Sequence, residues 1–238
     1  MLILKRLMLF AGIFAIVPVV VMAQTRPGFT PGSSEMTVEQ SYLQESIELM
    51  IIREQSRAES RDMKLVALEY ISDAIGRGNK GVEIHSTLEY LSFEGIVNPT
   101  RENGRVVNNF PDVRVRAATF LGKLATPEAR TTLITMVQKD NEPMVLTEAI
   151  KSLGNIGEDK NGEAVNSIAW TINRFNNLNP DNLLALSAIE AFEKLSESNG
   201  GNLGQNAVQT LIRIAEGSYI RPVQDRARAA LSDLRKSN

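Results

Sequence analysis

The sequence predicts an all-α protein, a right-handed α-solenoid of about five antiparallel helix pairs. Three observations predict this class. One apolar pattern with helical spacing occurs five times along the chain. Gly and Pro residues interrupt the chain between the copies. Aromatic residues make up only 5% of the chain, whereas Ala, Leu, Ile and Val are plentiful, which favours close helix–helix packing over a β-sandwich.

Residues 112–140 show the repeating unit most clearly, as two short amphipathic helices joined by a turn. The first helix carries an apolar stripe of period 3.6 at Val113, Ala117, Leu121 and Leu124. Pro127 suits the first turn of the second helix, because its missing N–H would have had no partner there. The second stripe is Ala129, Leu133 and Met136. One pair of this size cannot bury both apolar faces, so it requires neighbouring pairs.

The pattern of the first helix recurs at intervals of roughly 30 to 50 residues, the range of helical repeats. Its copies begin at Ala67, Ala117, Ala149, Ala188 and Ala227. A second helix is predicted after each of the first four copies, over residues 81–93, 127–139, 162–176 and 204–216. Structural roles within the repeats are assigned to Asp112, Val113, Arg114, Ala117, Leu121, Ala149, Leu153, Ala188, Phe192, Ala227 and Leu231.

With this alignment the chain resembles the HEAT-like (armadillo-type) family of α-helical repeats over about residues 60–236. The resemblance rests on Asp112-Val113-Arg114 and Leu121-Gly122, with partial copies at Leu153-Gly154 and Arg226-Ala227. It implies that the Val of the acidic–Val–Arg run is buried and that the Asp and Arg tie neighbouring repeats together. The family includes scaffolds, transport machines and a few lyases, so the resemblance predicts a fold more than a function.

Residues 1–23 are predicted to be an export signal peptide. Lys5 and Arg6 form a short positive region, residues 7–22 are apolar, and compact residues precede a cleavage site at Ala23-Gln24. An uncleaved membrane anchor is the alternative, but the apolar run is shorter than the roughly 20 residues that a helix needs to cross a bilayer.

The next segment, residues 24–36, contains two Pro-Gly pairs and two serines, which predicts a flexible leader. The solenoid then occupies residues 37–238, with one insertion at residues 94–111. We therefore expect an exported protein, periplasmic or extracellular, with no integral membrane span after cleavage of the signal peptide.

Composition argues against several function classes. The chain has 26 basic and 28 acidic residues, so it lacks the basic excess that binds nucleic acid. It has no cysteine and a single histidine, His85, which leaves no thiolate ligand, no cysteine nucleophile and no histidine pair for a metal. Its carboxylates are spread over predicted helix faces. No catalytic, cofactor or metal site is predicted.

The insertion at residues 94–111 is the irregular part of the repeat pattern. It is predicted to form a hairpin in which Ile96-Val97 pairs with Val106-Val107 around residues 102–104. A long loop on one edge of a solenoid is often functional, although loop lengthening is also tolerated at small cost in free energy. If the insertion binds a partner, the expected contact residues are Arg105, Phe110, Val106 and Val107.

Three further expectations concern individual helices. The first helix is expected to bury a face with Leu43, Ile47 and Met50 or Ile51, and to present a polar outer surface as a cap. Trp170 is expected to pack between repeats rather than to face solvent.

The function predicted from the sequence is a non-catalytic exported scaffold. It would bind another protein of the cell envelope through the concave solenoid face or the insertion. One alternative is a lyase or ligand-binding enzyme of the HEAT-like kind, which needs an apolar pocket lined by carboxylates. Another is a homo-oligomeric envelope component, which predicts an exposed apolar face on the last helix at Ala230, Leu231 and Leu234.

Overall fold

The computed structural model describes residues 37–178 and 180–237. The predicted signal peptide and leader, residues 1–36, lie outside the described residues. The described chain forms ten helices and one hairpin: α1 Val38–Arg57, α2 Arg61–Gly76, α3 Val82–Ser92, β1 Arg101–Glu102, β2 Arg105–Val106, α4 Pro111–Leu124, α5 Pro127–Lys139, α6 Pro143–Ile156, α7 Glu163–Leu178, α8 Asn182–Ser198, α9 Gln205–Glu216 and α10 Arg221–Ser237. None of these helices is long and apolar enough to pass through a bilayer.

The helices form two layers, because each helix packs against the helix two places further along the chain. The even layer contains α2, α4, α6, α8 and α10, and the odd layer contains α1, α3, α5, α7 and α9. Between the layers, α1 packs on α2, α3 on α4, α5 on α6, α7 on α8 and α9 on α10. This packing of neighbour on neighbour confirms the predicted all-α solenoid.

Most of the residues given structural roles in the repeats lie in the hydrophobic core. Those exposed by no more than 1% are Val113, Arg114, Ala117, Leu121, Ala149, Leu153, Ala188, Phe192 and Ala227. Leu231 is half-buried against the same core. Asp112 is half-buried, and its Oδ2 lies 2.6 Å from Arg61 Nη2, so it ties α4 to α2. Because each stripe is covered by neighbouring helices, the core is continuous from repeat to repeat.

Caps and prolines define where the helices begin. Thr37 caps α1, and its hydroxyl accepts a hydrogen bond from the Gln40 N–H while the Gln40 side chain accepts one from the Thr37 N–H. Pro127 opens α5, preceded by Thr126, whose hydroxyl accepts from the Ala129 N–H at 3.2 Å. The start of α5 at Pro127 agrees with the sequence expectation.

Two glycines set how closely the even-layer helices approach. A Cβ on Gly122 of α4 would lie 2.6 Å from Ser152 Oγ of α6, and a Cβ on Gly154 of α6 would lie 2.8 Å from Ala191 Cα of α8. At the first of these contacts the Ser152 hydroxyl donates to the carbonyl of Ala118 at 3.0 Å. The glycine after the buried leucine of the repeat therefore permits close packing between neighbouring repeats.

The hairpin of the insertion has a different register from the predicted one. Arg101 pairs with Val106 and Glu102 pairs with Arg105, so Asn103-Gly104 is a two-residue turn with positive φ at both residues. Ile96-Val97, which was predicted to form a strand, instead turns back on α3, since both N–H groups donate to the carbonyl of Phe93. The two-residue turn pairs only the residues directly beside it. Ile96 and Val97 therefore lie outside the hairpin, in the turn that follows α3.

The predicted orientation of α1 was wrong. Its core-facing residues are Ile52 and Leu49, whereas Leu43, Ile47 and Met50 are 61%, 54% and 59% exposed. The helix has apolar residues on two sides, and only its packing against α2 and α3 decides which side is buried. The exposed surface of this helix therefore carries large apolar side chains among its polar ones and is not the wholly polar cap that was predicted.

The last helix, α10, does not have the exposed apolar face that the homo-oligomeric alternative requires. Ala230 is buried, and Leu231 and Leu234 are half-buried against the core. The reason is that α10 turns this side toward α8 and α9, which cover it.

Gly154→Ala is expected to lower the free energy of unfolding by about 1–3 kcal/mol, because the new methyl group meets the backbone of α8. Gly76→Ala is the matched control, since nothing lies within 4 Å of a Cβ at this helical position. Chemical denaturation measures both variants. Equal stability of Gly154→Ala and the wild type would contradict the role of this glycine in close packing.

Candidate protein-binding surfaces

The four predicted contact residues of the insertion differ in exposure. Arg105 and Val107 are exposed at the hairpin, but Val106 is half-buried. Phe110 is half-buried against the core directly before α4, so it holds the insertion in place rather than projecting from it. Val97, which was not predicted as a contact residue, is 50% exposed on the first part of the insertion.

A buried ionic network fixes both ends of the insertion to the solenoid. Arg114 Nη1 donates to the carbonyl of Glu94 at 3.1 Å and to Asn109 Oδ1 at 2.8 Å. Lys64 Nζ lies 3.0 Å from Glu94 Oε2, and Asn108 Nδ2 donates to Glu94 Oε1 at 2.9 Å. Glu94 begins the insertion, and the two asparagines end it. The hairpin therefore projects from a rigid base.

The same arginine also reaches the C-terminal end of α5 through a fully buried ion pair. Arg114 Nε lies 2.7 Å from Asp140 Oδ2, and both side chains are 1% exposed. The second carboxylate oxygen of Asp140 accepts hydrogen bonds from the N–H groups of Asn141 and Glu142. Burying two charges is tolerated only when each has such partners. The Arg of the acidic–Val–Arg run thus joins α4 to the end of α5 and, through the carbonyl of Glu94, to the segment that follows α3.

Polar side chains link neighbouring helices within both layers. In the even layer, ion pairs join Arg61 with Asp112, Arg116 with Glu69, and Arg226 with Glu193. In the odd layer, an ion pair joins Arg53 with Glu83, and hydrogen bonds run from Gln138 to Ser167, Asn206 to Asn166, and Asn173 to Thr210. His85 also belongs to this set, with Nε2 3.4 Å from Thr132 Oγ1. We call the outer surface of α3, α5, α7 and α9 the odd-helix face.

Trp170 lies exposed on the odd-helix face, so the expectation that it packs between repeats was wrong. Its side chain is 52% exposed, and the Arg174 guanidinium lies 4.8 Å from the ring centroid. Arg174 Nη2 also donates to the carbonyl of Asp140 at 3.0 Å. The helical period of α7 indicates this exposure. Trp170 is two residues from both Ile168 and Ile172, so it lies on the side of the helix opposite these two buried residues.

A shallow cleft lies beside Trp170, lined also by Gln138, Asn166 and Ser167. A second small cleft of about 270 Å³ lies where the insertion meets α3, lined in part by Tyr90 and Val97. Partial burial raises the pKa of Tyr90, and Glu94 adds to the rise while Arg57 opposes it. The insertion therefore borders the odd-helix face at α3.

A cleft of about 480 Å³ lies at the C-terminal end, between α8, α9 and α10. Its apolar lining includes Phe192, Leu203 and Leu211, and its charged lining consists of Glu193, Glu197, Asp233 and Arg226. Burial raises the pKa of Glu193, Arg226 at 2.6 Å opposes this rise, and the carboxylates of Glu190, Asp233 and Glu197 add to it.

The alternative function, a ligand-binding enzyme, requires an apolar pocket lined by carboxylates. This cleft has both apolar residues and carboxylates and so meets part of that requirement. His85 does not line it, since it lies on α3. Across residues 37–178 and 180–237, no group of three or more His, Cys, Asp or Glu is arranged to hold a metal ion.

The fold and these surfaces define a class, the α-helical repeat proteins that bury each apolar face between neighbouring helices. A family model described as HEAT repeats matches residues 105–171, which run from β2 into α7. This match and the packing of the ten described helices fit a HEAT-like helical repeat protein. A comparison with curated proteins found no match.

Arg114→Met is expected to lower the free energy of unfolding by about 3–5 kcal/mol, because Asp140 stays buried without its cation. Arg116→Met is the matched control two residues further along α4. Its ion pair with Glu69 is exposed, so its loss should cost less than about 1 kcal/mol. Denaturant titration compares the two variants. Similar losses in both would mean that the buried network does not hold the insertion and repeats together.

The pKa of Glu193, followed by NMR titration, is expected above the ordinary glutamate value. Arg226→Met should raise it further, because Arg226 is the group that opposes the rise. The native state then holds this proton more tightly than the unfolded chain does. The contribution of Glu193 to the free energy of unfolding is therefore largest below the ordinary glutamate pKa. It falls as the pH rises through the raised pKa of the native state. A Glu193 pKa at or below the ordinary value would contradict its burial in the cleft.

Proposed function

We propose that this chain is a non-catalytic, exported scaffold that binds another protein of the cell envelope through the odd-helix face. A HEAT-like solenoid is a fold of the protein-interaction scaffold kind. The observation that supports the choice of surface is Trp170, a large aromatic side chain held half-exposed by Arg174. Trp and Arg are the residue types that most often dominate the binding energy of protein interfaces.

The surroundings of Trp170 favour a protein partner. Arg174 is held by its bond to the carbonyl of Asp140, so the Trp170–Arg174 pair loses little conformational freedom on binding. The nearby Gln138, Asn166 and Ser167 are uncharged and can exchange hydrogen bonds with a partner at small desolvation cost. Such a combination of aromatic anchor and neutral polar surroundings is typical of an interface of moderate size.

The insertion remains the second candidate for the binding surface. It presents Arg105 and Val107 from a rigid base and borders the same face at α3. A partner that lies along the odd-helix face from α3 to α7 would contact both surfaces. One that binds the hairpin alone would leave Trp170 free.

Export is the part of the proposal that rests on sequence alone. Its support is the apolar run at residues 7–22 after Lys5 and Arg6, and the cleavage site at Ala23-Gln24. The mature protein would then be periplasmic or extracellular. It would hold its fold by packing and buried ion pairs, since the chain has no cysteine for disulfides.

The C-terminal cleft supports a different class, a ligand-binding enzyme. Its apolar lining and its carboxyl group of raised pKa, Glu193, are the features that a general acid would need. Catalytic turnover lost in Glu193→Gln would favour this alternative over the scaffold.

Crosslinking in the native cell envelope, followed by mass spectrometry, tests the scaffold proposal. We expect one protein partner to be captured by the wild type and by Leu183→Ala, and to be lost from Trp170→Ala. Leu183 is the matched control, because it is an apolar residue of α8 with 62% exposure in the even layer. The same spectra should show a mature chain that begins at Gln24.

An Arg105→Ala/Val107→Ala variant separates the two candidate surfaces. It leaves Glu94, Asn108 and Asn109, which anchor the insertion, unchanged. Loss of the partner in this variant, with retention in Trp170→Ala, would assign binding to the insertion and overturn the odd-helix face. Capture of no partner by the wild type would overturn the scaffold proposal.

A further inference from the structure

The glycine that lets even-layer helices approach closely is replaced by a glutamate in α8. Gly122 in α4 and Gly154 in α6 each directly follow the buried leucine of their repeat. In α8 the residue at this place, directly after the buried Phe192, is Glu193. Each of the three positions faces the next even-layer helix, and Glu193 meets Arg226 of α10. A side chain of this size at a close-packing position holds α10 away from α8.

The C-terminal cleft lies at this replacement. In the two close contacts the glycines face Ser152 of α6 and Ala191 of α8. The residue at the same place in the pattern of α10 is Ala230. Glu193 and Ala230 both line the cleft of about 480 Å³. Helices α8 and α10 also contact each other less extensively than α4 and α6 or α6 and α8 do. The cleft therefore follows from the glutamate that stands in place of the glycine.

The lining of the cleft combines buried apolar side chains with more exposed charged ones. Phe192, Leu203 and Leu211 are exposed by no more than 5%, whereas Glu193 is half-buried and Glu197 is exposed. The volume of the cleft falls within the roughly 300–1,000 Å³ of small-molecule sites. A ligand that fits this lining has an apolar part for the first set of residues and a charged group for the second.

The charged lining favours a cation. The carboxylates of Glu193, Glu197 and Asp233 line the cleft with one guanidinium, that of Arg226. Arg226 is already paired with Glu193 at 2.6 Å, and Asp233 is paired with Lys236 at 2.9 Å. Glu197 forms no ion pair with any residue that the structure describes. Burial raises the pKa of Glu193, and the neighbouring carboxylates raise it further by repulsion. A cation in the cleft reduces this repulsion.

We propose that the cleft between α8 and α10 binds a small organic amine, a molecule with an aliphatic chain and an ammonium group. The aliphatic chain lies against Phe192, Leu203 and Leu211, where the removal of apolar surface from water favours binding. The ammonium group donates hydrogen bonds to the carboxylate of Glu197, and such charge-assisted bonds are stronger than neutral ones. An anion of the same shape would be repelled by the carboxylates.

The amine site is independent of the scaffold function proposed above. Trp170 is not among the residues that line the cleft. Amine binding also requires no turnover, which the catalytic alternative does. Trp170→Ala should therefore lose the protein partner and keep amine binding, so the two proposals can fail separately.

NMR titration of the isotope-labelled chain, purified after natural processing in the producing cell, tests the site with hexylamine. Saturable shifts are expected in the amide signals of Gly201, Leu211 and Ala230, which line the cleft. Hexanol and hexanoate, the neutral and anionic probes of equal chain length, should bind at least about fivefold more weakly, because they lack one partly exposed ion pair. The absence of a saturable shift at the cleft, or binding of hexanol as tight as that of hexylamine, would overturn the amine site.

Two substitutions of Glu193 test how the cleft is built. Glu193→Gly restores the glycine of the repeat and lets α10 approach α8, so hexylamine binding should fall at least about tenfold as the pocket closes. Glu193→Gln keeps the size of the side chain but leaves Arg226 unpaired beside the ligand, so a loss of at least about tenfold is expected here too. Melting temperatures show that both variants are folded. Wild-type binding in either variant would contradict the proposal.

Glu190→Gln is the matched control, because Glu190 lies on the same helix and does not line the cleft. Its hexylamine binding should stay within about twofold of the wild type. A loss equal to that of the Glu193 variants would mean that only the overall charge of α8 matters.

A lysine side chain of a protein carries the same ammonium group as a small amine. N-acetyl-lysine amide, titrated in the same way, separates these two sources. It should bind no more tightly than hexylamine, because its two amide groups lose water on entering the cleft. Tighter binding of the lysine derivative would assign the cleft to a protein partner and overturn the small amine.

Discussion

The structure depends on one constraint, that no helix pair of this chain can bury its apolar side alone. Each stripe is covered by the next repeat, and Gly122 and Gly154 allow that repeat to approach closely. The middle helices are therefore packed on both sides within their layer, whereas the first and last described helices of each layer have a neighbour on one side only. At the α10 end, the exposed side is covered with charged residues and does not need a neighbouring helix. On α1, Leu43, Ile47 and Met50 are not covered by any of the other described helices.

One buried network connects the two candidate binding surfaces. Lys64 and Arg114 hold the base of the insertion through Glu94, and Arg114 holds Asp140. The carbonyl of Asp140 in turn accepts from Arg174, which stacks on Trp170. These contacts reach through successive repeats and fix the hairpin and Trp170 relative to one another.

The sequence by itself determined the repeat, its stripes and its helix starts, because periodicity, proline and capping act within a few residues of the chain. Val113, Ala117 and Leu121 could be assigned to the core for that reason. The helical period of the sequence also indicates that Trp170 lies opposite Ile168 and Ile172. Only the tertiary structure decided which side of α1 is buried, since two apolar sides compete and the answer depends on where α2 and α3 lie. The same holds for Arg114, whose burial depends on Asp140 and Glu94, residues that are distant in the chain and meet only in the folded protein.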